Sequence, residues 1–240
     1  MQKATRGEVT VSPSAIMDFA KECEESVERQ LNKKRKFSIR MSGLGRPLCQ
    51  QLLDRQGMKE DMDYNALFRF LFGDLVESVM VLIMEQAEVD IVAKQKPVKL
   101  TIAGHEVTGT LDLILRDEMG IEKVWDVKSA SEWAFKFKYT GFGGYDKIKE
   151  DDPFGYVMQG HLYGEATGLP FGGWIVVNKS SGELAMVEAP TSAALRTVSL
   201  ATPCRGLPQL SAGARRAVAF PAVETAEVLH RRHLLEAVCK

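Results

Sequence analysis

The sequence predicts an α/β protein, with a mixed β-sheet flanked by helices and preceded by a helical region at the amino end. Three observations carry this. Val107 to Leu115 (VTGTLDLIL) and Ile121 to Val127 (IEKVWDV) alternate and are rich in β-branched and large apolar residues. Asp117-Glu118-Met119-Gly120 between them is suitable turn chemistry, so the two runs form a hairpin. Tyr64 to Val89 is apolar with few charges at helical length, which reads as a buried helix before the hairpin. A further helix, led by Asp151-Asp152-Pro153 and closed by Gly168 and Pro170, is followed by two short strand patterns.

From the amino end, Ser12-Pro13-Ser14 followed by AIMDFAKECEESVERQLNKK reads as a capped helix, with acidic residues early and Lys and Arg late. It ends in Lys33-Lys34-Arg35-Lys36, either a solvated helix end or a patch for phosphates. Phe37 to Ser42 is extended, and Ser42 can cap a helix over Leu44 to Gln56. In the long apolar helix, Glu77 lies amid Leu75, Val76, Val79 and Met80 and is expected to point inward, where an unpaired carboxylate is unfavourable. Residues 94 to 103 alternate as an amphipathic strand, and Gly104-His105 turns the chain into the strand of Asp112.

After the hairpin, Ser129-Ala130-Ser131-Glu132 is a capping-box pattern for a short helix, WAFKFKY. This stretch interleaves aromatic and basic residues, the mixture that grips single-stranded nucleic acid. Trp133 and Phe137 are expected in the core, and Lys136, Lys138 and Tyr139 on the surface. On the helix FGYVMQGHLYGEAT, Gln159 and Tyr163 are four apart and share a face. FGGWIVVN and Glu183 to Glu188, joined by Lys179-Ser180-Ser181-Gly182, complete the mixed sheet.

The hairpin poses the chemical question. Asp112 is a carboxylate in an otherwise apolar strand, and period-two geometry points Asp126 and Lys128 to one face, with Val127 opposite. Burying two carboxylates and an ammonium is costly unless they are paired or bind a metal. A divalent cation relieves that cost; a plain salt bridge is the alternative.

The same residues carry a family resemblance. Gly109-Thr110-Leu111-Asp112, thirteen intervening residues and then Asp126-Val127-Lys128 form one part. Gly73 with Glu77 precedes it on a helix, and Gln159 with Tyr163 follows it on another. In this order the four motifs resemble the PD-(D/E)XK nuclease superfamily and, within it, the RecB-like exonucleases, over roughly residues 38 to 190. The resemblance implies a restriction-endonuclease-like core and Mg²⁺ or Mn²⁺ held by Glu77, Asp112, Asp126 and the carbonyl of Val127. It further implies that Lys128 orients or deprotonates the attacking water, its proton affinity lowered by the metal, and that Gln159 and Tyr163 position substrate or Lys128. Arg40, Ser42 and Arg46 are the expected contacts to the DNA backbone, joined by Lys136, Lys138 and Tyr139. The activity implied is a DNA exonuclease preferring single strands or ends, in repair, recombination or phage genome processing. A structure-specific or restriction-like endonuclease and an inactive DNA-binding module stay open as alternatives, as does a homo-oligomer.

Composition sets bounds on this reading. At 240 residues and 45% hydrophobic, the chain can form one core, read here as a nuclease domain over 1–190. Residues 191–240 form a divergent tail, packed on that domain or appended to it. Up to residue 190 lysines outnumber arginines 16 to 8, whereas the tail holds 1 lysine and 6 arginines. A net charge of -1 leaves DNA contact to local basic patches. No apolar run reaches the ~18 residues that span a bilayer, and MQKATRGEVT lacks a signal-peptide core. A cytoplasmic protein without a membrane partner is expected. Its four cysteines, Cys23, Cys49, Cys204 and Cys239, are then free thiols. Some RecB-like exonucleases carry an iron-sulfur cluster, and Cys49 stands where its first ligand would be. The closely spaced carboxyl-terminal trio is missing, so a cluster, with Cys23 as a further candidate ligand, is the lesser alternative.

Overall fold

The first helix, α1 (Pro13–Leu31), starts where Ser12 accepts the N–H of Ala15 at 3.2 Å and proline occupies the first turn. No acid stands in that turn, contrary to expectation. The structure is a computed structural model that describes residues 6–8, 10–32, 37–58, 63–102, 104–141 and 143–190. The basic run Lys33 to Lys36, Cys204, Cys239 and the tail 191–240 lie outside the described residues.

Two short helices follow, α2 (Met41–Leu44) and α3 (Leu48–Arg55). Ser42 therefore caps nothing: Arg40 holds the cap position and Ser42 sits inside α2. Pro47 accounts for the break, because it lacks an N–H and drives the residue before it out of helical geometry. Helix α4 (Tyr64–Gln86) is capped by Asp63, whose carboxylate accepts the N–H of Ala66 at 2.5 Å. Its expected burial holds only for the second half, where Ser78, Met80 and Val81 are buried. Tyr64 and Phe68 in the first half are 76% and 56% exposed. There the rings of Tyr64, Phe68 and Phe72 stack on one another at 6.2 and 6.5 Å, one helical turn apart.

Five strands form one sheet in sequence order: β1 (Ile91–Ile102), β2 (His105–Arg116), β3 (Glu122–Ala130), β4 (Phe171–Asn178) and β5 (Leu184–Glu188). Among these five strands only β3 and β4 pair in parallel. Their connection is long, as a parallel pair demands: α5 (Glu132–Ala134) running into a π turn (Phe135–Tyr139), α6 (Tyr145–Glu150) and α7 (Tyr156–Thr167). Asp152 starts α7, accepting the N–H groups of Tyr156 and Val157 at 2.8 and 2.9 Å. β4 is buried at every residue, which explains why FGGWIVVN is apolar throughout rather than alternating.

The sheet has a core on each face. One joins Leu111, Val124, Trp174 and Val176 to Val157, Leu162 and Tyr163 of α7. The other joins Met80 and Val81 of α4 to Leu113, Trp125, Val127 and Ile175. The result is an α/β architecture with helices on both sides of a mixed sheet. No helix among the described residues is long and apolar enough to cross a membrane.

Gly173 tests the packing of the central pair. Its φ is +132°, and a Cβ there would lie 1.9 Å from the carbonyl oxygen of Val187 on β5. Gly173→Ala is expected to cost more than about 2 kcal/mol, from backbone strain and a clash with backbone that cannot rotate away. Chemical denaturation of the variant beside wild type measures it.

Candidate active site

The sheet forks where the site forms. β2 and β3 pair from Arg116↔Glu122 as far as Leu113↔Trp125. Beyond that point β2 stays with β1 and β3 runs on beside β4. The fork leaves Asp112 and Asp126 at its apex, and the carboxylate of Asp112 takes over where the ladder stops: Val127 N–H donates to Asp112 Oδ2 at 2.9 Å. Val124 and Ala130 face the α7 core, so alternation turns Asp126 and Lys128 to the same side. Val127 faces the α4 core.

Asp126 is 2% exposed. Its Oδ2 lies 2.7 Å from Lys128 Nζ, yet no donor among the described residues aligns with that oxygen as a hydrogen bond. Gln159 Nε2 lies 3.4 Å from Asp126 Oδ1 and 3.2 Å from the Tyr163 hydroxyl, so the two residues share a face of α7 as expected, and Gln159 reaches Asp126. Lys128 Nζ also sits 4.8 Å from the ring centre of Tyr156, a cation–π contact. Tyr156 thus belongs to the site; its place one turn before Gln159 was the available signal.

Glu77 reaches the fork from α4 on the other side of the sheet, pointing inward as predicted. It accepts a hydrogen bond from the side-chain amide of Gln95 on β1. Burial first, then the negative charges of Asp126 and Asp74, push its carboxyl up to about 7 against the pull of Lys128 and Arg29. Asp112 is held well above the usual carboxylate range, by burial and then by Glu77 and Asp126. For Lys128, burial acts to lower the proton affinity, but Asp126 and Asp112 outweigh it and the net shift is upward. Without an ion, the protein's own carboxylates favour the ammonium form of Lys128, and the expected lowering of its proton affinity belongs to the metal-loaded site. Burial and Asp112 likewise raise Tyr163.

Three carboxylates from α4, β2 and β3 thus act on one another, with hard oxygen donors and one buried oxygen lacking an aligned donor. That chemistry fits Mg²⁺ or Mn²⁺. Among the described residues, however, no three Asp, Glu, His or Cys side chains are gathered as a ready ligand set. Lys128 draws on Asp126, Val127 on Asp112 and Gln95 on Glu77, so each carboxylate is already engaged by the protein's own groups.

The expected DNA contacts divide. Arg40 is exposed and bridges to Thr108 on β2, Ser42 is half-buried, and Arg46 is exposed close enough to act on Tyr156 electrostatically. This segment borders the site because Gly45 meets Gly155 at the start of α7: a Cβ on Gly45 would lie 2.5 Å from Gly155 Cα. Tyr139 is corrected: it is 8% exposed, packed in the core with Phe135. Trp133 and Phe137, expected inside, are instead 69% and 55% exposed, with rings 5.6 Å apart. The helix and its π turn present these two pairs to opposite sides. Lys138 Nζ is tied to the carbonyl of Asp151 at 2.5 Å and Lys136 to Glu132 at 2.5 Å. Cys23 is a free thiol.

No family model matches the chain, and no curated protein matches it. A solved structure titled "Crystal structure of SSO0001" is similar over 72% of this chain and 79% of its own, at 14% identity and a TM-score of 0.44.

Proposed function

We propose that the protein is a Mg²⁺- or Mn²⁺-dependent DNA nuclease with a PD-(D/E)XK-type site, acting as an exonuclease on single strands or ends. The observation that supports this is the presence of Asp112, Asp126 and Lys128 at the fork of the sheet, with Glu77 near enough to act on them electrostatically and both Glu77 and Asp112 raised. Those carboxylates, with the Val127 carbonyl, would hold the ion. When bound, it supplies charge relief at the scissile phosphate and lowers the proton affinity of the attacking water. Lys128 Nζ, kept as an ammonium, stabilises charge developing on the phosphate oxygens. Gln159 and Tyr163 orient Asp126, and the Tyr156 ring steadies Lys128. Arg40, Ser42 and Arg46 border the entrance where the phosphodiester backbone would run. The exposed rings of Trp133 and Phe137 replace Tyr139 as the surface on which bases stack.

The test uses end-labelled linear and circular single-stranded DNA with Mg²⁺, with chelator, and with Asp126→Ala. Metal-dependent digestion of the linear form alone is the expected result. Cleavage of circles would make it an endonuclease, and undiminished cleavage by Asp126→Ala would remove the site assignment.

A further inference from the structure

The geometry points to Gln95 as a positioning residue for Glu77, one that fixes which carboxylate oxygen is left to face an ion. This rests on Glu77 being a metal ligand. Gln95 is one of two non-glycine residues among those described with positive φ, at +45°. Such a conformation is unfavourable for a side chain and persists only where the surroundings impose it. What it achieves is visible in its neighbours. Consecutive strand residues point to opposite faces, yet Lys94 and Gln95 both reach α4. Lys94 Nζ lies 2.9 Å from Glu85 Oε1 and 2.9 Å from Glu22 Oε1 of α1, while the Gln95 amide donates to Glu77 Oε1. The turned backbone is what lets both side chains serve the same helix layer.

Register adds a second reason. Lys94 pairs with Leu113 and Lys96 with Leu111, so Gln95 stands across the ladder from Asp112. Gln95 is thus tied to two of the carboxylates assigned to the ion, Glu77 by its hydrogen bond and Asp112 by its place across the ladder, at the point where β2 parts from β3. Gln95 and Glu77 also line a cavity closed by Glu22, Ser26 and Arg29 of α1, so that helix backs the arrangement from outside. With Oε1 taken by the amide, Oε2 of Glu77 is the oxygen left for an ion. A neutral donor suits this place, since a cationic one would compete with the metal.

Gln95→Gly separates this role from a merely structural one, because glycine accepts the positive φ while removing the side chain that carries the amide. Mn²⁺ binding, followed by electron paramagnetic resonance of the free ion, is measured beside thermal unfolding for wild type, Gln95→Gly and Asp126→Ala. We expect Gln95→Gly to keep or raise the unfolding temperature while its Mn²⁺ affinity falls about 10- to 100-fold, the range for losing a group that orients a ligand. Wild-type affinity in Gln95→Gly, with binding lost in Asp126→Ala, would overturn the role of Gln95 and leave the metal site standing. A wild-type protein that binds no Mn²⁺ would overturn both.

Discussion

Asp126→Ala is expected to abolish the proposed nuclease activity and to destabilise the fold by about 3 kcal/mol, the low end for breaking a buried ion pair. The low end applies because the side chain of Lys128 retains 19% exposure while that of Asp126 retains 3%. Removing the carboxylate strands the ammonium beside Tyr156 with no counter-ion 2.7 Å away. Activity should fall at least about 100-fold, since losing one charge-stabilising group at a reacting centre commonly costs 10² to 10³. Asp126→Ala/Lys128→Met distinguishes the two effects. With the uncompensated charge gone, most of the stability should return while activity does not. A single variant as stable as wild type would show that the pair contributes nothing to folding; an active one would show that Asp126 is no part of the chemistry.

In chelator, Glu77→Gln is expected to leave stability unchanged near pH 4 and to raise it by about 3 kcal/mol at pH 8. The sign follows from linkage. Glu77 titrates at about 7 in the folded chain against 4.5 for an ordinary glutamate. Between those values the unfolded chain has lost a proton that the folded chain still holds, so wild-type stability falls as pH rises through that window. Above pH 7 the full deficit of about 3 kcal/mol applies. Glutamine removes the ionisation and keeps an oxygen for the Gln95 amide. Asp112 shifts in the same direction, so Asp112→Asn should act with the same sign and still accept the N–H of Val127. Millimolar Mg²⁺ should stabilise wild type and narrow the gap to Glu77→Gln. Parallel pH profiles for wild type and variant would show that Glu77 is not ionised at this cost.

Much of this was legible before any coordinates. The hairpin announced itself by alternation and a turn, and β4 by an unbroken apolar run. Asp112, Asp126 and Lys128 stood out because charges in apolar strands demand partners. What failed did so for reasons of context. Hydropathy found α4 but not where the sheet ends beneath it, so its first turns were read as buried when their rings lie outside. Apolar character alone placed Trp133 and Phe137 inside, whereas the π turn buries Phe135 and Tyr139. Pro47 outweighed the capping tendency of Ser42. Gln95 gave no signal, since a polar residue in an amphipathic strand is ordinary and its positive φ is a tertiary demand.

The fork between β2 and β3 has a consequence for how the chain is held together. Past Leu113 and Trp125, among the described residues, the hairpin of β1 and β2 shares no rungs with the parallel pair and meets it through the Asp112 carboxylate on the Val127 amide. An ion gripped by Glu77, Asp112 and Asp126 would sew helix, hairpin and parallel pair at one point. Loading the catalyst and fastening the two halves of the sheet would then be a single event.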